Sequence, residues 1–215
     1  MGTVTGTAIM NKAATLLYDV NNIKWSRPEL LIWVNDAQRA ITSLLPEASS
    51  AQAVIAMAEG PRQSIPATGW LLLEVTDNMG TSPGSTRGRA VKKIDRATID
   101  ETNPNWYDAT PATAITAWMQ DGRDRTAFQV YPPSDGTGYL EVIHSLLPVD
   151  LAVEADTIVI TDLYTPAMLD YVMFRCMSKG GGLGDPKQAE AYLASFNTYV
   201  AANTTNQTRL VAATD

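Results

Sequence analysis

Apolar residues recur at helical spacing near both ends of the chain and at shorter, strand-like spacing in between. Ile9, Ala13, Leu16, Leu17 and Val20 predict a first helix over residues 7–20, which Asn21-Asn22 ends. A second is predicted from Ser26-Arg27-Pro28-Glu29, a capping-box pattern in which Trp25 staples onto Leu30. Its apolar face is Leu30, Trp33, Val34, Ala37, Ile41 and Leu44, and Pro46 stops it. Toward the other end, Thr165 is placed to cap a third helix, with Pro166 at its first position and Tyr164 stapled onto Leu169. Leu169, Val172, Met173, Cys176 and Met177 make the stripe, and Lys179 and Gly180 close it. After Gly181-Gly182-Leu183-Gly184, Asp185, Pro186 and Gln188 open a fourth helix whose stripe is Ala189, Tyr192, Leu193, Phe196 and Val200.

The middle of the chain changes character to short apolar or alternating runs broken by Gly, Pro, Asn and Asp. Strands are predicted near residues 52–58, 70–76, 90–94, 114–119, 127–131, 139–145 and 157–160. Residues 77–88 are polar and glycine-rich and read as an exposed hairpin loop, and Ser134-Asp135-Gly136-Thr137-Gly138 as a tighter turn. A short helical turn is predicted over 96–101, ended by Asn103-Pro104. Helices at both ends of a chain pack together only when the strands between them form an inserted unit. The expected class is therefore α+β: a four-helix platform, two helices N-terminal and two C-terminal, with an inserted antiparallel β-sandwich or small barrel. The expected division is 1–50 and 161–202 for the platform, 51–160 for the β module and 203–215 for a polar, threonine-rich, mobile C-terminal tail.

Charge narrows the partners. The formal net charge is -7 and the pI near 4.7, which argues against broad binding to nucleic acid or to an anionic membrane. No stretch approaches the ~18 apolar residues of a membrane span, and the N-terminus shows neither a basic-then-apolar leader nor Ser or Thr at residue 6, so the expectation is a soluble, unlipidated, non-exported chain. Asn203-Thr204-Thr205 and Asn206-Gln207-Thr208 match glycosylation acceptors, a pattern without meaning in such a chain. Cys176, the single cysteine, falls on an apolar stripe and reads as a buried structural thiol.

The search for chemistry finds no catalytic, cofactor or metal constellation. His144 is the sole histidine, on the same strand face as Leu140 and Val142, with no Ser, Cys or Asp pairing apparent beside it. Asp121-Gly122-Arg123-Asp124 lacks the further acidic positions of a calcium loop and reads as a charged turn. The glycine run at 180–184 follows a helix rather than a strand, lacks Gly-Lys-Ser/Thr, and already has Asp185 at the helix start, so it reads as a connector and not a phosphate cradle. Arg87, Arg89, Lys92, Lys93 and Arg96 form the one local basic cluster. A solvated strand face is the plain reading, and contact with an acidic partner or passing phosphate the sharper one.

Several motifs together resemble a known family. Glu29-Leu30-Leu31-Ile32-Trp33-Val34-Asn35-Asp36-Ala37-Gln38-Arg39, Pro104-Asn105-Trp106, Val130-Tyr131-Pro132-Pro133, and Leu163-Tyr164 leading to Leu169-Asp170-Tyr171, Arg175 and Ser178-Lys179 resemble the head-to-tail adaptor proteins of tailed bacteriophages in order and spacing. The glycine run after Ser178-Lys179 departs from the family pattern, where polar or acidic residues tend to follow.

The resemblance implies a non-enzymatic virion neck protein with a helical platform and a β-sandwich insertion. It implies self-assembly into a twelvefold ring joining the portal protein to a tail or nozzle protein, with genomic DNA passing through without sequence-specific binding, and no membrane or cofactor. By position, the tail would dock on the portal, with Asn206, Arg209, Leu210 and Val211 as the candidate contacts. Ring contacts call for spare apolar surface, and Trp25, Trp33, Tyr171, Tyr192 and Tyr199 are platform aromatics that could serve there or in the core. The alternative is a carbohydrate-binding or hydrolytic phage tail component using the β module. It would need clustered exposed aromatics and two converging carboxylates.

Overall fold

The computed structural model describes residues 2–180, 182 and 184–212, with side chains to residue 203. Among these, the fold is mixed α+β, with five α-helices and two sheets of three and four strands. In chain order the elements are α1 (Gly6–Leu16), α2 (Arg27–Leu44), β1 (Ser50–Ala56), β2 (Glu59–Ser64), β3 (Gly69–Thr81), β4 (Lys92–Lys93), α3 (Arg96–Thr102), β5 (Ala117–Gln120), β6 (Ala127–Asp135), β7 (Gly138–Leu146), α4 (Thr165–Met177) and α5 (Pro186–Ala212). Two compact units result: Met1–Ser49 with Pro148–Asp215, and Ser50–Leu147.

The helical unit buries most of the stripe positions that periodicity picks out, with Leu16, Val20 and Leu44 left exposed. Ile9, Met10 and Ala13 of α1, Leu30, Val34, Ala37 and Ile41 of α2, Met168, Val172, Met173 and Cys176 of α4, and Phe196 of α5 share one core. Each large aliphatic member contributes about 1.5–3 kcal/mol by leaving water. Start signals hold unevenly. The Thr5 hydroxyl accepts from the Ala8 N–H and starts α1. Asp185 caps α5, its carboxylate accepting from the Lys187 N–H at 2.9 Å and the Gln188 N–H at 3.5 Å, but the expected capping box is not closed: the Gln188 amide donates to the Asp185 carboxylate at 3.3 Å instead of accepting from the Asp185 N–H. At α2, Ser26 makes no side-chain cap bond, and Glu29 instead binds the Lys179 ammonium at 2.8 Å. At α4 the cap position is Tyr164, without a side-chain bond, because a 3-10 turn at Asp162–Tyr164 leads into the helix.

Three helical expectations need correction. Val20 is not part of α1: the helix stops at Leu16, and the chain turns through Tyr18 at a φ of 52° and Asn22 at a φ of 53°. Leu44 is exposed and Leu45 takes its place in the core. The fourth helix does not end near Val200, since α5 continues to Ala212.

The β unit is two sheets, ordered β1-β7-β3 and β2-β6-β5-β4. β7 is antiparallel to both neighbours, and β4 alone runs parallel, against β5. Leu72 and Val75 of β3, Leu140 and Val142 of β7, Trp118 of β5, and Phe128 and Val130 of β6 pack into one cluster drawn from both sheets. α3 is capped by the Asp95 carboxylate and lays Ile99 on Trp106 and Met119.

The expected strand at 157–160 is absent. These residues meet the N-terminal segment in one isolated bridge, Thr5 to Thr157, while the Val159 N–H donates to the Gln38 side chain at 2.7 Å and Ile158 and Ile160 enter the helical core. β2 was not expected, because Glu59-Gly60-Pro61-Arg62-Gln63-Ser64 has no apolar alternation and carries a proline. It lies at a sheet edge, where proline is tolerated, and its register shifts between Gly60 and Arg62. The loop expected at 77–88 is only partly a loop. β3 runs on to Thr81, held where the buried Asn78 amide donates to the Arg89 and Ile115 carbonyls and its oxygen accepts from the Ile115 N–H.

Candidate functional site

The polar contacts of the helical unit fix its N-terminal strap and the segment before α4. Asp162 accepts from the backbone N–H groups of Thr3 and Val4 and from the Thr3 hydroxyl, and these bonds hold its carboxyl below the usual range. The Thr7 N–H and hydroxyl donate to the Glu154 carbonyl, and the Arg27 guanidinium grips the Glu154 carboxylate in a fork, with Nε 2.8 Å from each oxygen. Tyr199 donates to the Leu163 carbonyl at 2.7 Å and Ser195 to Asp170 at 2.6 Å, fastening α5 to α4 and the turn before it. Tyr171 packs edge-on against Phe196 at 5.4 Å, so its ring serves the helix contact. Trp25 and Trp33 are core residues too. The candidate docking contacts Asn206, Arg209, Leu210 and Val211 lie outside the residues whose side chains are described.

One feature escaped sequence reasoning. Between α1 and α2 the buried Asp19 carboxylate accepts from the N–H groups of Ile23 and Lys24 at 2.8 Å and of Trp25 at 3.0 Å. Burial pushes its pKa up, but the three N–H bonds outweigh that and keep it below the ordinary carboxylate range. The staple fixes a loop whose Tyr18, Val20 and Ile23 side chains all stand in solvent. The signal available in sequence was Asp19 followed by Asn21-Asn22, residues that favour side-chain-to-backbone turns.

The basic cluster of the β unit is partly neutralised from within, at Arg87 and Arg96. Arg87 pairs with Asp77 at 3.2 Å and with the buried Glu141 at 2.6 Å. Glu141 also accepts from the Thr76 hydroxyl and is held below its ordinary range by that bond and by Arg87. Arg96 pairs with Asp100 one helical turn on, and the Lys93 ammonium sits 5.1 Å from the Trp118 ring centre. Arg89, Lys92 and Lys93 are exposed, and none of the three has a carboxylate partner among the ion pairs of the described residues.

Groups with chemical potential are placed structurally. His144 is buried, and neither ring nitrogen has a hydrogen-bond partner, so burial pushes its pKa below the usual histidine value. Asp121 and Asp124 share Arg62 at 3.6 and 3.0 Å, and Asp124 also accepts from Thr126. Burial pushes the Cys176 thiol up to about 12, far from a reactive thiolate. Among the described residues no group of three or more His, Cys, Asp or Glu is placed to hold a metal ion, and no helix is long and apolar enough to cross a membrane. The glycine connector is shaped by packing: a Cβ at Gly184 would lie 2.1 Å from the Met177 carbonyl oxygen, and Gly182 has a φ of 77°.

A family model described as SU10 adaptor protein matches residues 4–214. The chain belongs to the SU10 adaptor protein family. Both units, the α-helices at either end and the β insertion between them, therefore fall within a phage adaptor assignment rather than one unit alone. No curated protein matches the chain.

Proposed function

We propose that this SU10-family adaptor is a structural virion protein of the neck, a head-to-tail ring subunit that joins the portal to the tail around the DNA channel. The observation that carries this is the family match across residues 4–214, which embraces the helical unit and the β unit together. In this reading α1, α2, α4 and α5 form a four-helix platform, and the β unit is a sandwich inserted within residues 51–160. The chain assembles with copies of itself as a twelvefold ring and performs no catalysis. The acidic balance suits a ring that surrounds DNA without gripping it, because like charge suppresses backbone binding. Internal pairing of Arg87 and Arg96 supports the same point, leaving Arg89, Lys92 and Lys93 as the candidate contacts with an acidic neighbour or phosphate.

Residues 203–215 are the proposed portal-docking segment, with Leu210 and Val211 entering a groove on the portal and Asn206 and Arg209 beside them. Deleting 203–215 is expected to reduce the helical circular dichroism signal only by the lost end of α5 and to leave the melting of the rest intact, while abolishing capture by purified portal. Unchanged capture would remove the docking role from this segment. The carbohydrate or hydrolytic alternative has less support: the large exposed aromatics Tyr18 and Tyr107 belong to different units, and Asp121 and Asp124 are both engaged by Arg62.

A further inference from the structure

We infer that the outer edge of β1 is a strand-addition site, where an extended, uncharged segment of a tail-side protein joins the β1-β7-β3 sheet. The inference deepens the adaptor reading, on which the choice of a tail-side occupant rests.

A sheet edge presents a row of unpaired N–H and C=O groups, and folded chains ordinarily blunt it with proline, charge, bulges, shortness or cover. Among the described residues the two sheets have four edges, β1, β3, β2 and β4, and three of them are blunted. The outer edge of β3 is covered: the Leu72 N–H donates to the Arg125 carbonyl, the Asn78 N–H to the Arg89 carbonyl, and the Val91 N–H to the Thr76 carbonyl. β2 carries Glu59, Pro61 and Arg62 and a register shift. β4 is only Lys92 and Lys93.

β1 has none of these devices. Ser50-Ala51-Gln52-Ala53-Val54-Ile55-Ala56 holds no charge, proline or glycine, and it pairs with β7 from end to end without a register shift. The Met57 N–H donates to the Gly138 carbonyl at 2.9 Å and continues that register. Bonded pairs alternate along an antiparallel ladder, so Ala51, Ala53 and Ile55 bond β7, and the main-chain groups of Ser50, Gln52, Val54 and Ala56 point away from it. Those four residues are exposed, and the outward groups of Gln52, Val54 and Ala56 have no main-chain partner among the described residues. Cover is short here as well: Ala53 and Ile55 pack against the cluster of Leu72 and Val142 yet stay half-buried.

The edge selects its occupant. Outward N–H and C=O groups at every second residue, about 7 Å apart, match an extended main chain. β1 offers no charge to pair with, so the segment that covers Ala53 and Ile55 is uncharged and apolar at alternate positions. A second β1 would meet the first edge to same edge, an isologous twofold contact that the contacts of a single cyclic ring exclude. The other edges of a second copy are the blunted ones, and its C-terminal segment is helical to Ala212. With portal docking assigned to residues 203–215, the tail-side protein is the partner left for β1.

The test mixes the full chain, free and portal-bound, with the purified tail-side protein from the same phage. Val54→Pro removes one outward N–H and no bond to β7, and Val54→Lys sets a charge on the edge. Circular dichroism checks folding, biolayer interferometry gives affinity, and hydrogen exchange is followed at the Gln52, Val54 and Ala56 amides. Wild type is expected to bind, with exchange at those amides slowed about tenfold or more in the complex, and both variants to fold and bind about tenfold or more weakly. Binding that leaves the three amides unprotected would overturn the inference, and exchange on wild type decides this even where a variant misfolds. Folded variants that bind like wild type, or a tail-side protein that binds neither form of the wild type, would overturn it too. Protection of the same amides in the chain alone as its concentration rises would make a second copy the occupant and also overturn it. Failure of the adaptor reading is a separate result: wild type that portal does not capture.

Discussion

At the scale of single residues, buried polar groups decide where this chain is sensitive. His144 lies in the β-unit core with both ring nitrogens unpartnered, so the folded state favours the neutral ring and lowers its pKa. The sign follows directly. The unfolded histidine takes up a proton near its ordinary pKa of about 6.5 while the folded one does not, so stability is fully present above that value and declines as pH falls below it, by at most about 1.4 kcal/mol per pH unit. Urea unfolding at pH 7.5, 6.5 and 5.5 is expected to show this decline in wild type and a shallower one in His144→Gln; equal slopes would dissociate it from His144. Asp19 gives a second residue-level expectation. Asp19→Ala leaves the Ile23, Lys24 and Trp25 N–H groups without their shared acceptor, so hydrogen exchange at these three amides is expected to speed up selectively. Exchange unchanged at all three would mean the loop holds its shape without the staple.

At the scale of elements, the glycine connector separates packing from mere flexibility. Gly180 has open space where a Cβ would go, whereas a Cβ at Gly184 would collide with the Met177 and Lys179 carbonyl oxygens. Gly180→Ala is expected to melt like wild type and Gly184→Ala several degrees lower; equal melting would contradict the close approach of backbone there. The same connector illustrates what sequence could tell. Stripes such as Leu30, Val34, Ala37 and Ile41 were legible because burial imposes the helical period on residue type. The Asp185 cap was legible because its bonds are local. Glu29 was misread because its partner, Lys179, lies far along the chain. β2 was missed because an edge strand needs neither alternation nor freedom from proline, and 157–160 was misread because tertiary packing against Gln38 and Val4 substitutes for a strand partner. Of the candidate contacts, the basic cluster was legible as charge but not as pairing at Arg87, since Asp77 and Glu141 reach it only through the fold, whereas Asp100 is a local partner one helical turn after Arg96.

At the scale of the whole molecule, an inserted unit requires its ends to meet. Ser50 at the start of β1 pairs with Ser145 near the end of β7, which brings the two chain crossings of the β unit together. With its own core around Leu72, Val75, Trp118 and Phe128, the fragment Ser50–Leu147 is expected to unfold cooperatively when expressed alone; a broad, non-cooperative transition would count against its independence. The family match spans both units, so the adaptor role belongs to the assembled chain rather than to either part. The most direct measurement is electron cryomicroscopy of the purified full-length chain mixed with purified portal from the same phage. The expected image is a closed ring of this chain stacked coaxially on the portal, with the C-terminal segment at the junction. Portal particles left bare in a saturating excess of the folded chain would contradict the adaptor role.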